Sequence, residues 1–440
     1  LGEGREGRVF PQIGAGAEFS TSNFAAIFRG TLPPPMEFEP LTGQRLLAAV
    51  QDTLARIPFY ASYPRGVGPE WFTSLPVLRR EDLSGVEPTR WLPPDLDVAE
   101  ALASGKLRPL TTSGSTDEPL KVYADTQLPL PPNVWGMHGL PDDARLVNLT
   151  APVCLGTHCP GDIAPHGPNG LLLTFRAGLF RASDESIRRA VQAWNEFEPE
   201  IAFVNPAWLH WLLRRARGLG LTLSSPRLIS LTYQYPSRCQ RRELARALDA
   251  PQIEFYGASE FGGTDLAIGC EAGHLHLVEY QAAVEQLPSE HPGHDELVFT
   301  TPLSRSMPLV RYAPGDLGVV DTLGEDACSL WTVPVLELDG RVADVLRTES
   351  GVVTTRAFDD AVGEAEGLEF YAARSRAGAV TVQCIVEPGT EAKVERAVTS
   401  AGLALGFTAV KVRFVERLEL GASGKLQLTG EDERHELEVR

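Results

Sequence analysis

The stretch Arg108–Tyr123, RPLTTSGSTDEPLKVY, crowds hydroxyl side chains around one glycine. Ser113, Ser115 and Thr116 offer O–H donors, and Gly114 lets backbone N–H groups approach an anion closely. Such a loop suits phosphate, and it suits a polar surface turn equally well. The GxxxxGK[ST] form is absent. Asp117 and Glu118 follow directly, and a phosphate-gripping loop must keep such charges turned away.

Further along, EFYGASEFGG (Glu254–Gly263) follows an apolar run that reads as a strand. Ligands of open α/β sheets sit at strand ends. Tyr256 can stack on a base, Ser259 can bond a phosphate or carboxylate, and Glu260 can hold Mg2+, which prefers carboxylate oxygen. In LVRYAPGDLG (Leu309–Gly318), Pro314-Gly315 forms a tight turn that presents Asp316, a carboxylate able to accept from two ribose hydroxyls. Each motif also has a plain alternative, a turn with a solvated acid. GASGKLQL (Gly421–Leu428) places Lys425 on a Gly/Ser loop, where an ammonium can meet developing negative charge or simply face solvent. Only Lys106, Lys121, Lys393, Lys411 and Lys425 are lysines among 40 basic residues, so a motif lysine is less easily background.

The elements that must position these groups alternate. Residues 1–100 read as helical and irregular, with GQRLLAAVQDTLARI (Gly43–Ile57) at helical spacing. From Ala144 the pattern is strand and helix in turn: ARLVNLTA, IAFVN, the helix PAWLHWLLRRARGL with Trp208, Leu209, Leu212, Leu213, Ala216 and Leu219 on one side, then RLISLTYQ, the helix PSRCQRRELARAL and QIEFYG. That order predicts an α/β sheet. After LELDGRVADVL the chain reads strand, helix, strand, a compact α+β unit. The boundary is placed near Asp339–Gly340, giving 1–339 and 340–440.

The chain has 440 residues and a formal net charge of −18, which argues against a general nucleic-acid binder. No apolar run reaches the ~18 residues of a membrane span. The N-terminal LGEGREGRVFPQIGAG lacks the marks of a signal peptide and reads as a flexible end. Six scattered cysteines with no CxxC pair fit a reducing cytoplasm.

In this order and spacing, SGSTDEPLKVY, YGASE, RYAPGDL, GRVAD and SGK resemble the adenylate-forming superfamily of acyl-CoA synthetases. LPVLRREDL (Leu75–Leu83), which resembles a helical entry segment, and CEAGHLHL (Cys270–Leu277) make the phenylacetate–CoA ligase branch the best match. The likeness runs from about Pro58 to Leu428. It implies a large N-terminal domain of mixed β-sheets flanked by helices and a small mobile C-terminal α+β domain. The implied reaction is ATP-dependent activation of a carboxylic acid, by branch an aromatic one, to an acyl-adenylate. Transfer follows to coenzyme A or to a carrier-protein phosphopantetheine. A stand-alone adenylating or carrier-loading enzyme and a non-catalytic nucleotide-binding relative are the alternatives, and a homodimer is the branch-level expectation. By the same likeness Thr112, Ser113, Gly114, Ser115 and Thr116 grip the β- and γ-phosphates, Tyr256 with Gly257 packs on adenine, and Ser259 meets the α-phosphate or acyl carboxylate. Glu260 holds Mg2+, Asp316 and Arg341 take the ribose, Lys425 acts in adenylation, and Asp339–Ala343 is the hinge.

The chain departs from the pattern at Asp117 where the family has Gly, at Ala343 in the hinge where an acid or Lys is usual, at Glu349 beyond it, and at TYQYP (Thr232–Pro236) in place of Gly-Glu. Apart from Asp117, these changes gather around the thiol-transfer step and the acyl pocket. CLGTHCPGDIAPH and CEAGHLH hold zinc-type ligands, but common structural zinc motifs use a closer C-x2-C pair. Loop and pocket histidines are the expectation there.

Overall fold

The computed structural model describes residues 40–111, 120–125, 134–141, 143–152, 161–262, 265–304, 306–321 and 334–432. The strands are β1 Leu107–Thr111, β2 Lys121–Asp125, β3 Leu146–Leu149, β4 Ile163–Pro165, β5 Gly170–Leu173, β6 Ile201–Val204, β7 Leu228–Leu231, β8 Gln252–Gly257, β9 Asp265–Gly269 and β10 Leu275–Leu277. They continue as β11 Ala283–Pro288, β12 Asp295–Thr301, β13 Leu309–Tyr312, β14 Asp316–Asp321, β15 Val335–Arg341, β16 Leu346–Arg347, β17 Val352–Val353, β18 Leu368–Arg376, β19 Ala379–Val386 and β20 Ala409–Phe414. The longer helices are α1 Gly43–Arg56, α2 Asp184–Phe197, α3 Pro206–Gly218, α4 Arg238–Ala247, α5 Thr355–Val362 and α6 Glu391–Ala404.

One mixed sheet dominates, in the order β11-β12-β14-β15-β10-β9-β8-β7-β6-β3-β5-β4, with β13 beside β12. Strands β5, β3, β6, β7 and β8 run parallel. They are short apolar runs, and β3 and β7 are almost wholly buried, as strands covered on both faces must be. Helices α3 and α4 connect β6 to β7 and β7 to β8. The sequence specifies where both begin. Asn205 accepts from the N–H groups of Ala207 and Trp208, with Pro206 at the first turn, and Ser237 and Gln240 form a capping box. From β8 onward the pairing is antiparallel.

The C-terminal unit pairs β18 with β19 antiparallel and β19 with β20 parallel, α6 making the crossover. Its first helix and strand lie on α3 and α4. Phe370, fully buried, stacks on His210 at 4.0 Å and meets Trp211 and Phe180 edge-on. Glu369 accepts from Arg214 at 2.5 Å and Arg217 at 2.9 Å. This contact explains a difference from the sequence reading. Helix α3 has more than one apolar side, because His210 and Trp211 are also buried under the C-terminal unit. The boundary expected near Asp339–Gly340 falls within the last residues of β15, and the first turn beyond it is Val342–Asp344. The entry segment Leu75–Leu83 is helical only over Arg80–Leu83, because Leu78 instead bridges to Tyr312 beside β13. Among the described residues no helix is long and apolar enough to cross a membrane.

Asp359 on α5 ties the units together. It is fully buried and accepts from the Arg238 backbone N–H at 2.9 Å and the Tyr371 hydroxyl at 2.8 Å. Burial pushes its carboxyl up to about 6 from an ordinary 3.8, against the lowering pull of those donors. The folded chain therefore holds this proton more tightly than the unfolded one. The stability it contributes is complete below about pH 4 and is lost as pH rises through about 6. We expect Asp359→Asn to flatten that part of the profile by on the order of 2 kcal/mol. Urea unfolding of both proteins between about pH 4.5 and 7.5 measures it, and parallel profiles would refute the assignment.

Candidate active site

Tyr256 is the next-to-last residue of β8 and Asp316 begins β14, and the phenol donates to Asp316 Oδ2 at 2.7 Å. Arg341, paired with Asp316 in the β14–β15 register, donates from Nε to Oδ1 at 3.2 Å. Asp316 is thus bonded through both oxygens and lies almost buried. Its charge, with smaller help from Asp344 and Glu260, holds the Arg341 guanidinium more firmly protonated. Burial, then the Asp316 charge, push the Tyr256 phenol well above its ordinary range, so it stays a donor. Gly257, exposed, leads into the turn Ser259–Phe261, closed by Gly262 at φ +72°. A Cβ at Gly262 would lie 3.5 Å from the Tyr123 carbonyl, so β2 runs directly against this turn.

Glu260 accepts from Arg80 at 3.0 Å. Leu78 anchors that arginine's segment, exchanging backbone hydrogen bonds with Arg311 and Ala313 at 2.8 and 2.9 Å. Glu260 offers the hard oxygen that Mg2+ prefers, so the residue fits the ion, which would share the carboxylate with the Arg80 guanidinium. Thr112–Thr116, Asp117 and Glu118 lie outside the described residues. Their flanking strands β1 and β2 form an antiparallel hairpin with Thr111 opposite Lys121.

Lys425 approaches from the C-terminal unit. Its loop reaches the carboxyl ends of the parallel strands, where open α/β sheets bind ligands. The Gly424 carbonyl accepts from the Trp208 indole at 3.2 Å, and the Leu426 N–H donates to Gln234 Oε1 at 3.2 Å. Asn205 donates to that same oxygen at 3.1 Å. Gln427 donates to Asp344 at 2.7 Å, linking the loop to the turn three residues after Arg341. Lys425 itself is half-buried, and its carbonyl accepts from Gly421 at 2.9 Å.

The structure therefore joins Tyr256, Asp316 and Arg341 directly, and sets Ser259 and Glu260 in the turn just beyond Tyr256. Lys425 is carried on a docked loop to the crevice at the carboxyl ends of the parallel strands, and Gln427, two residues on, is bonded to Asp344 near Arg341. Sequence reading missed Arg80, Trp208, Asn205 and Gln234. Gln234 lies within the divergent TYQYP stretch, which was the one available signal. The others are ordinary residues of helices and turns, found only through their contacts. Cys154, His158 and Cys159 lie outside the described residues, whereas Cys270, His274 and His276 come together.

No protein-family model matches the chain. In sequence it is 26% identical over 338 residues to a phenylacetate–coenzyme A ligase of Thermus thermophilus, covering 71% of this chain and 72% of that one. It is 24% identical over 302 residues to a phenylacetate–coenzyme A ligase of Escherichia coli, covering 64% and 67%. Among solved structures it resembles 2-hydroxyisobutyryl-CoA ligase in the postadenylation state with 2-HIB-AMP, at TM-score 0.66 and 16% identity, over 91% of this chain and 94% of that one. It also resembles the anthranilate CoA ligase AuaEII with anthranoyl-AMP, at TM-score 0.51 and 15% identity, over 72% and 65%. The resemblance to the adenylate-forming superfamily in its phenylacetate–CoA ligase branch is borne out, and so is the mixed-sheet α/β architecture.

Gly424 sits at φ +71°, and a Cβ there would stand 2.6 Å from the Ala151 Cβ. Gly424→Ala should therefore lift the Lys425 loop and cost about 1–3 kcal/mol. Hydrogen exchange at residues 421–426 should rise by at least about tenfold. Unchanged exchange there would rule out the docking contact as drawn.

Proposed function

We propose that this crevice activates a carboxylic acid with ATP, forming an acyl-adenylate, and then passes the acyl group to a thiol, coenzyme A in the first instance. The observation that carries the reading is the seating of the Lys425 loop at the carboxyl ends of the parallel strands, bonded to Asp344 near the Asp316–Arg341 pair. The phenylacetate–CoA ligases named above support the reaction class.

The division of labour follows from charge. A carboxylate oxygen attacks the α-phosphorus, the bond from that phosphorus to the bridging oxygen breaks, and pyrophosphate leaves. Anion meets anion, so the site must supply cations and donors more than a base. Lys425 would neutralise charge on the carboxylate and bridging oxygen. Asp316 would accept from the ribose hydroxyls, its orientation set by Tyr256 and Arg341. Tyr256 would pack against adenine beside Gly257, Ser259 would meet the α-phosphate or acyl carboxylate, and Thr112–Thr116 would grip the outer phosphates. When bound at Glu260, Mg2+ would add positive charge against the phosphates. An aromatic acid is favoured by the rings near the strand ends, where Phe203 meets Tyr233 at 5.8 Å and Phe255 at 6.1 Å.

A second reading has one specific observation behind it. For thiol transfer by domain rotation, residues 340–440 would swing as a unit about Asp339–Ala343. That swing must break the Phe370 packing and strip Glu369 of two arginines. Leaving such a carboxylate without partners costs several kcal/mol. This favours a stand-alone adenylating enzyme, one that finishes the first step readily and transfers slowly to any thiol that needs the swing, coenzyme A and a carrier arm alike.

Pyrophosphate release with Mg-ATP across aromatic and aliphatic acids tests the proposal. Release is expected with at least one acid, and a thioester should follow on adding coenzyme A. Release with no coenzyme A product would support the second reading, and the absence of both release and ATP binding would end the enzyme reading. Lys425→Ala should slow pyrophosphate release by about 10²–10³-fold. It should leave thioester formation from supplied acyl-adenylate within a few-fold, and equal loss of both steps would exclude the assigned role.

A further inference from the structure

We infer that Cys270, His274 and His276 form a Zn2+ site that clips the hairpin of β9 and β10. Their ligand atoms all lie within 4.8 Å of one another. Cys270 Sγ and His274 Nδ1 are 3.7 Å apart, close to the ~3.3–3.8 Å edge of a tetrahedron built on Zn–S and Zn–N bonds. A Cys–His hydrogen bond alone would explain that pair. It does not explain the third donor, because the His276 ring stands perpendicular to His274 with centroids 6.0 Å apart. Cys270 and His276 are almost fully buried, and His274 is half-exposed at the rim.

The hairpin geometry produces the cluster. Residues i and i+2 of a strand share a face, so His274 and His276 project the same way. Gly269 pairs with Leu275, and the turn closes through Cys270 N–H to the His274 carbonyl and Gly273 N–H to the Cys270 carbonyl, each at 2.9 Å. Gly273 at φ +85° makes that turn tight enough to bring the thiol back over the imidazoles. The C-x3-H-x-H spacing lacks the paired cysteines of common zinc motifs, and the close approach appears only once the strands pair. One thiolate and two imidazoles suit Zn2+, and three protein ligands leave a fourth position for another donor.

The position argues for a structural role. Ala267 pairs with Tyr256, so Cys270 stands three residues, about 10 Å, away along the strand from the candidate active site. The clipped hairpin lies between β8, which carries Tyr256, and β15, which carries Arg341. Fixing its end would hold those two strands in register.

The test uses the full chain. Metal analysis after growth with zinc should find about one Zn2+ per molecule. Replacement by Co2+ should give thiolate-to-metal charge transfer and tetrahedral d–d bands, both lost in Cys270→Ser. His274→Ala, at the half-exposed rim where folding is safest, should weaken binding by at least about tenfold. Chelation should lower the melting temperature of the wild type and not of Cys270→Ser, with recovery on adding Zn2+. A folded wild type without bound zinc and without a cobalt spectrum would overturn the inference. Binding that survives in both variants would do so equally.

Discussion

The hydrogen bond from Tyr256 to Asp316 constrains the whole antiparallel half of the sheet. Their strands, β8 and β14, are separated by β9, β10 and β15, four spacings or about 19 Å on a flat sheet. The bond is 2.7 Å long. The sheet must therefore curl until its edges approach, and the pairing shows how. A register shift lies at Tyr256/Gly257 and another at Leu317/Gly318, each beside one partner. Bulges bend strands and re-aim side chains, and they cluster near functional sites for that reason. The same curl brings Phe299 of β12 to 5.7 Å from both Tyr256 and Phe261, so an aromatic core fills the concave side.

The curled half is braced by charge pairs, most of them outside the candidate site. Arg311 is buried and donates to both oxygens of Glu285 at 3.0 and 3.1 Å, as well as to the carbonyls of Thr73 and Leu75. It thereby fastens the N-terminal helices to β11 and β13. Arg79 grips Glu296 through two bonds at 2.9 and 2.8 Å. Next to it, Arg80 reaches Glu260. Arginine's planar fork suits such paired contacts. One of the five lysines stands where a compact charge on a flexible stem fits, the Gly/Ser loop at Lys425.

Much of the architecture was legible because it rests on local rules. The strand–helix alternation after Ala144, the caps at Asn205 and Ser237, and the tight turn at Pro314-Gly315 appear where periodicity and turn chemistry put them. Tyr256, Asp316 and Arg341 were legible as motif members, and their mutual bonding was not, because it depends on the curl. The burial of His210 and Trp211 was likewise hidden, since it comes from Phe370, over 150 residues away in sequence. Cys270, His274 and His276 were visible as ligand types, and their convergence required the hairpin.

TYQYP shows how a departure from a family pattern can be accommodated. Tyr233 sits at φ +73°, a left-handed conformation that glycine enters freely and a bulky residue enters at a cost of about 1–2 kcal/mol. The backbone therefore makes a glycine-like bend with a bulky side chain in place. Two contacts offset the cost: the Tyr233 hydroxyl donates to Asn148 at 3.1 Å, and its ring packs edge-on against Phe203. The bend also turns the next residue, Gln234, toward the Leu426 N–H and the Asn205 amide. A neutral oxygen accepting from both receives the Lys425 loop, so the strained bend at Tyr233 is tied to the contact that docks that loop.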